Sequence, residues 1–296
     1  MKLVYSDQYD LNLGDHVFRS EKYRLTKEKL VREGVVSEAE ILVPAPAPDE
    51  DITRVHTQEY IRKLKEGTLS YEEILTLEAP YSPQLVSANW LAAGGAMLAA
   101  RRALEEGRAV NLGGGFHHAF PNHGEGFCVI HDVAVAIRRL QADGVIRTAM
   151  TVDCDVHQGN GTAFIFRDDP EVFTFSIHQV RNYPAHKPPS NLDVNLEDGI
   201  GDDEYLAALE QGLDQSLGKF SPGIIFYIAG ADPYQDDQLG GLKLSFDGLK
   251  RRDAMVFEKA GSKGIPVTVT LAGGYARHVE DTVQIHANTV RAAKGC

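Results

Sequence analysis

The sequence is poor in cysteine and in positive charge, and it has no long apolar run. Each shortage narrows what the chain can be. Three cysteines in 296 residues (Cys128, Cys154 and Cys296) are too few and too scattered for a disulfide framework or a four-thiolate zinc site. Thirty Lys and Arg stand against 42 Asp and Glu, a formal net charge of -12. Nucleic-acid binding needs a basic face to neutralise phosphates, so no nucleic-acid partner is expected. The longest apolar stretch, LAAGGAMLAA at 91–100, is too short to span a bilayer. The opening MKLVYSDQYD is acidic and lacks the apolar core of a secretory leader. These absences point to a soluble, cytoplasmic chain with no membrane contact. No internal repeat or low-complexity tract divides it, and a composition of 43% hydrophobic and 24% charged residues is that of an ordinary globular protein. A single domain over 1–296 is expected.

One pattern recurs: a short β-branched run, a Gly, Asp or His turn, then an amphipathic helical stretch. Strands are predicted at 2–6 (KLVYS), 109–114 (AVNLGG), 147–153 (RTAMTVD), 171–177 (EVFTFSI), 223–230 (GIIFYIAG) and 266–274 (PVTVTLAGG). Helices are predicted roughly over 55–66, 84–106, 131–142, 203–217, 247–261 and 279–293. Near-continuous apolar strands alternating with helices imply an α/β fold. Its three layers, α/β/α, would enclose a mainly parallel central sheet. The Pro-rich VPAPAPDED (43–51) and the irregular RNYPAHKPPSN (181–191) read as loops.

In such sheets ligands bind beyond the carboxyl ends of the strands. Five predicted strands end in chemically loaded turns: GGGFHHA (113–119), DCDVHQGNG (153–161), SIHQ (176–179), GADPYQDDQLGG (230–241) and GGYAR (273–277). Asp155 and His157 are two residues apart, so in extended backbone their side chains share a face. Asp232 ends a different strand. Two carboxylates and one imidazole leave a coordination position open, as a catalytic metal site requires. Taken alone, Asp155 and His157 are equally well read as turn residues. Other metal motifs fail on spacing. HExxH is absent, and the position where a calcium loop needs Glu holds Phe164.

These blocks, with GEGFC (124–128) and VHTQEYI (55–61), resemble the histone deacetylase family in order and spacing. The HQGN context and DDEYL (202–206) are most like its class IV branch. The resemblance implies an arginase/deacetylase-like fold and a metal-dependent amide hydrolase. The substrate would be an acylated lysine or a small acylated amine carrying an acetyl or longer acyl group. Asp155, His157 and Asp232 would hold zinc, or else Fe2+ or another divalent ion. His118 would be the principal general base and acid, His117 its electrostatic partner, and Tyr275 the donor to the developing oxyanion. Asp153 would orient His117 and, with Asp155, His157, Ser176 and Ile177, hold a structural K+ or Na+. Phe127 after Gly126, Tyr183, Gly273, Gly274 and His16 would form the substrate channel, the two glycines freeing the backbone before Tyr275.

Two other readings remain in view. A two-metal ureohydrolase of the arginase type needs further bridging ligands, but Gln158 and Gly159 follow His157 where a DxHxD pattern would place one. A binding protein that recognises acylated amines without cleaving them would not need every candidate catalytic group. Many family members have Asp where this chain has Asn160. An amide can hold an imidazole tautomer but cannot stabilise an imidazolium by charge. The expected result is a lower His118 pKa, so Asn160→Asp should shift a limb of the pH–rate profile. A profile that stays put would show that this position does not tune the base.

Overall fold

The structure, a computed structural model, describes residues 1–11 and 13–295; Cys296 lies outside the described residues, and Cys128 and Cys154 are buried free thiols. Among the described residues the strands are β1 (Lys2–Val4), β2 (Ile41–Leu42), β3 (Arg108–Asn111), β4 (Ala149–Asp153), β5 (Val172–Gln179), β6 (Leu192–Leu196), β7 (Ile225–Ile228) and β8 (Val267–Thr270). The helices are α1 (Glu21–Arg32), α2 (Asp49–Ile52), α3 (Gln58–Glu66), α4 (Tyr71–Leu77), α5 (Pro83–Glu106), α6 (Asp132–Ala142), α7 (Asn160–Phe166), α8 (Asp202–Lys219), α9 (Phe246–Ser262) and α10 (Val279–Lys294). The strands form one sheet in the order β2-β1-β3-β8-β7-β4-β5-β6, and every pairing is parallel.

Strand side chains alternate between two apolar layers, as the period of two requires. Leu3, Val110, Val152, Tyr227 and Val269 pack with residues of α1, α8, α9 and α10. Val4, Ala109, Ala149, Phe226 and Ile228 pack with α5 and α6 on the other face. Both faces are therefore dry, and the three-layer α/β/α architecture of one domain follows. The six predicted strands all lie in the sheet. Its two edge strands, β2 and β6, were not predicted: the first is two residues long, and LDVNL is mostly half-buried, without a strong apolar alternation. Helix α1 was not predicted either, because its buried face includes Lys22 and Thr26 beside Tyr23 and Leu30.

The central strands end level with one another. Asn111 lies beside Thr270, Thr270 beside Ile228, Ile228 beside Asp153, and Asp153 beside Ser176. The loops that follow β3, β8, β7 and β4 therefore converge on one rim. A buried ion pair on α9 braces this rim from below. Arg252 donates to Asp253 Oδ1 at 2.8 and 2.9 Å, and its Nη1 donates to the Gly230 carbonyl at 2.5 Å and the Cys154 carbonyl at 3.4 Å. Asp253 also accepts from the Tyr227 hydroxyl (2.5 Å) and from Thr289 (2.6 Å). Removing one partner of such a pair strands a charge in dry protein. Asp253→Ala should therefore cost about 3–5 kcal/mol in urea unfolding, and Arg252→Met with Asp253→Leu should cost less. A single substitution costing under about 1 kcal/mol would show that the pair does not brace the rim.

Candidate active site

Asp155 and His157 lie in the bend that follows β4, not in the extended backbone expected of them, yet both reach one cluster, and Asp232 arrives four residues after the end of β7. One potential ligand atom from each lies within 4.8 Å of the others, all three side chains being buried. His157 Nδ1 is 3.1 Å from Asp155 Oδ1 and 3.5 Å from Asp232 Oδ2. Backbone amides point into the cluster: His157 N and Gly273 N donate to Asp155, and Val156 N donates to Asp232 Oδ1. Asp232 Oδ2 has no hydrogen-bond partner among the described residues. Burial, then the Asp155 charge, pushes the Asp232 pKa up to about 7. A cation belongs there on electrostatic grounds, and the oxygen and nitrogen donors suit a divalent metal.

Glycines make this crowding feasible. A Cβ on Gly230 would lie 2.6 Å from Asp155 Oδ2, and one on Gly273 would strike Asp232 Oδ2. Gly273 is thus required for close approach rather than for the unusual backbone predicted of it. Of the two, Gly274, at φ 143, fills that second role.

The two adjacent histidines have opposite partners. His117 Nδ1 donates to Asp153 Oδ2 at 2.7 Å, while His118 Nδ1 donates to Asn160 Oδ1 at 2.7 Å; their rings lie 4.0 Å apart. Burial would lower the pKa of His117, but the Asp153 and Asp155 charges overcome it and raise the value to about 9. Among the described residues His118 has no carboxylate partner, and burial, then His117 and His157, hold it well below the ordinary histidine value. His118 is therefore a neutral base whose Nε2 carries the lone pair, while His117 favours the charged form.

Tyr275 sits above this floor, its ring 6.4 Å from His157 and 6.0 Å from Phe127. Its backbone amide donates to Asp237 Oδ2 at 2.6 Å. Burial and the Asp155 and Asp232 charges keep its phenol protonated. Phe127 and Tyr183 face a cleft of about 160 Å³ together with Gly126, His118, His157 and Tyr275. The Tyr183 ring stands perpendicular to His118 at 5.0 Å. His16 lies behind Phe127 rather than lining the cleft: the rings are 4.8 Å apart edge to face, and His16 Nε2 is bonded to the Glu78 carbonyl. Ser176 and Ile177 lie one strand away, where the Ser176 hydroxyl is bonded to His178 Nδ1 at 2.9 Å.

Four groups at the site were not anticipated. Lys22, fully buried on α1, donates to the Ala272 carbonyl at 2.8 Å. Burial lowers its pKa to about 8 against the pull of Asp232 and Asp155. Asp237 accepts from Tyr275, Leu239 and Gly240 and so clamps the Asp232 loop to the Tyr275 loop. Asp132 accepts from the Gly115 and Phe116 amides and sets the turn that carries the histidine pair. Glu125 accepts from the Asn160 amide at 2.7 Å and the Tyr183 hydroxyl at 3.1 Å. Asp237 and Glu125 lie inside motifs that were singled out, but only the fold gives them partners.

Comparison with known proteins agrees with this arrangement. A model of the histone deacetylase domain matches residues 16–290. An uncharacterized protein of Picosynechococcus is 40% identical over 99% of this chain and 98% of its own. Histone deacetylase 2 of Arabidopsis thaliana is 33% identical over 96% of this chain and 78% of its own. Among solved structures, an HDAC homologue complexed with SAHA superposes with a TM-score of 0.86 at 25% identity, over 99% of this chain and 84% of that one. An HDAC homologue from Aquifex aeolicus gives 0.85 at 26%, with the same coverage. The rim of loops, the buried Asp-His-Asp cluster and these matches lead to one assignment: the chain belongs to the histone deacetylase family.

Proposed function

We propose that the protein is a metal-dependent amide hydrolase that removes acetyl or longer acyl groups from lysine side chains or related amines. The observation that carries this reading is the open Asp155–His157–Asp232 cluster, set beneath a cleft flanked by a neutral His118 and a protonated Tyr275. The orphaned Asp232 oxygen and the glycine cradle suit a metal, and zinc matches the mixed carboxylate and imidazole donors. A divalent ion held there would supply Lewis acidity to the amide carbonyl and to a water.

The chain's own groups perform the rest. His118 Nε2 removes the proton from the attacking water and returns it to the nitrogen of the leaving amine. Tyr275 donates its hydroxyl hydrogen to the oxygen that gains charge. His117, paired with Asp153, adds positive charge beside it. Phe127 and Tyr183 face the cleft and suit the methylene chain of an acyl-lysine. A structural K+ or Na+ at Asp153 and Ser176 rests on the family resemblance. The Asp153 oxygens already accept from His117 and the Asp155 amide, and Ser176 is bonded to His178.

Metal-loaded protein tested against acetyl-, propionyl-, octanoyl- and myristoyl-lysine peptides and acetylated polyamines should hydrolyse at least one class. Tyr275→Phe should lower kcat by about 10²–10³ while still binding one metal per chain. A Phe variant with near-normal turnover would remove Tyr275 from the mechanism, and inactivity of the wild type on every substrate would favour a binding protein. Zinc should also raise the melting temperature, by an amount equivalent to about 2.7 kcal/mol at 100 times Kd. Asp232→Asn should abolish that rise, and a rise that survived the substitution would place the metal elsewhere.

A further inference from the structure

Resting on the deacylase reading, we propose that Glu125 is a positioning residue that sets the direction of the hydrogen bond between His118 and Asn160 and ties the general base to the Tyr183 wall of the channel. The His118–Asn160 contact alone does not define which ring nitrogen carries the proton. An amide is nearly symmetric in shape, so turning it over exchanges its oxygen for its NH2 and reverses the tautomer it requires of the imidazole. A carboxylate can only accept, and this removes the ambiguity. Glu125 Oε1 lies 2.7 Å from Asn160 Nδ2, so that nitrogen must face Glu125 and the amide oxygen must face His118. The Gly161 amide donates to the same oxygen at 3.0 Å and favours the same orientation, to which Glu125 adds the charge-assisted contact on the other side of the amide. His118 then carries its proton on Nδ1, which leaves the Nε2 lone pair for the reacting water.

Glu125 is itself fixed in place. It lies in a tight turn closed by two backbone hydrogen bonds with Cys128 (3.1 and 2.9 Å). Gly126 follows at φ 51, where a Cβ would come within 2.9 Å of both Tyr183 and His118. Burial favours the protonated acid, but hydrogen bonds from His123, Asn160 and Tyr183 bring its pKa below the usual value, so the carboxylate stays charged. The bond to Asn160 is therefore charge-assisted, and such bonds are about twice as strong as neutral ones. The same oxygen accepts from the Tyr183 hydroxyl at 3.1 Å, so the channel wall and the base share one anchor. The arrangement also accounts for the amide at position 160. A carboxylate in its place would face Glu125 with a second carboxylate at hydrogen-bonding distance.

The test compares zinc-loaded wild type with Glu125→Gln, Asn160→Asp, the Asn160→Asp/Glu125→Gln double variant and Tyr183→Phe. The amide introduced by Glu125→Gln can both donate and accept, so kcat should fall roughly tenfold with KM little changed. Asn160→Asp should fall further. The double variant should recover about tenfold over Asn160→Asp, because the new amide at position 125 donates to the new carboxylate at position 160, which still accepts from His118. Tyr183→Phe should act on KM rather than kcat. Nitrogen NMR of ¹⁵N-histidine-labelled, zinc-loaded protein provides a readout independent of turnover: His118 should carry its proton on Nδ1 in the wild type and show mixed tautomers in Glu125→Gln. A Glu125→Gln variant with unchanged kcat and tautomer, or a double variant no better than Asn160→Asp, would overturn the proposal. If the wild type cleaved none of the substrates, the deacylase reading would fail while the tautomer measurement still decided the role of Glu125.

Discussion

Two carboxylates held together in dry protein set the terms for the rest of this molecule. At separations of a few ångströms, like charges away from water repel far more strongly than they would at the surface. The fold surrounds Asp155 and Asp232 with compensating groups drawn from across the chain. Backbone amides of Val156, His157 and Gly273 point inward, His157 bridges the pair, and Lys22 arrives from α1 on the far side of the sheet rim. Arg252 binds the carbonyls of the same two loops from underneath. One oxygen of Asp232 is still left without a hydrogen-bond partner among the described residues. What the protein leaves uncompensated is a place that suits a cation.

The same logic separates the adjacent histidines. His117 and His118 share a turn and a depth of burial, yet one faces a carboxylate and the other an amide. That single difference drives their proton affinities in opposite directions, a charged neighbour beside a neutral base. Neighbouring titratable groups pushed apart in this way mark acid and base assignments in many enzymes. Here the division is made by Asp153 and Asn160, the last residue of β4 and the first of α7, at the two ends of one loop.

Much of this was legible in the sequence because the Asp-His-Asp cluster and the histidine pair obey local rules. The spacing of Asp155 and His157 directly after a strand marked them as partners, and apolar runs ending in polar turns place the loops that follow them at one rim. The central strands announced themselves through continuous burial. What escaped was stabilised by tertiary contact rather than by local pattern. Helix α1 buries a lysine and a threonine, so its stripe does not look apolar, although the lysine is the feature that reaches the site. Glu125 and Asp237 were inside the motifs, but a carboxylate in a turn carries no signal of what it will accept from. His16 was assigned to the channel and instead supports Phe127 from behind, a distinction that one side-chain layer makes and a motif cannot.

The strand order has a consequence for how the chain is assembled. Strand β8 is laid between β3 and β7, so it joins the β2-β1-β3 half of the sheet to the β7-β4-β5-β6 half. Without residues 267–270 each half would present a bare parallel edge, and the loops that carry His118 and Asp155 would belong to different halves. Closure across such a sequence separation is intrinsically slow. Asp155, His157 and Asp232 all follow strands of one half, so the seam does not assemble that cluster; it sets the His118 loop of the other half against it.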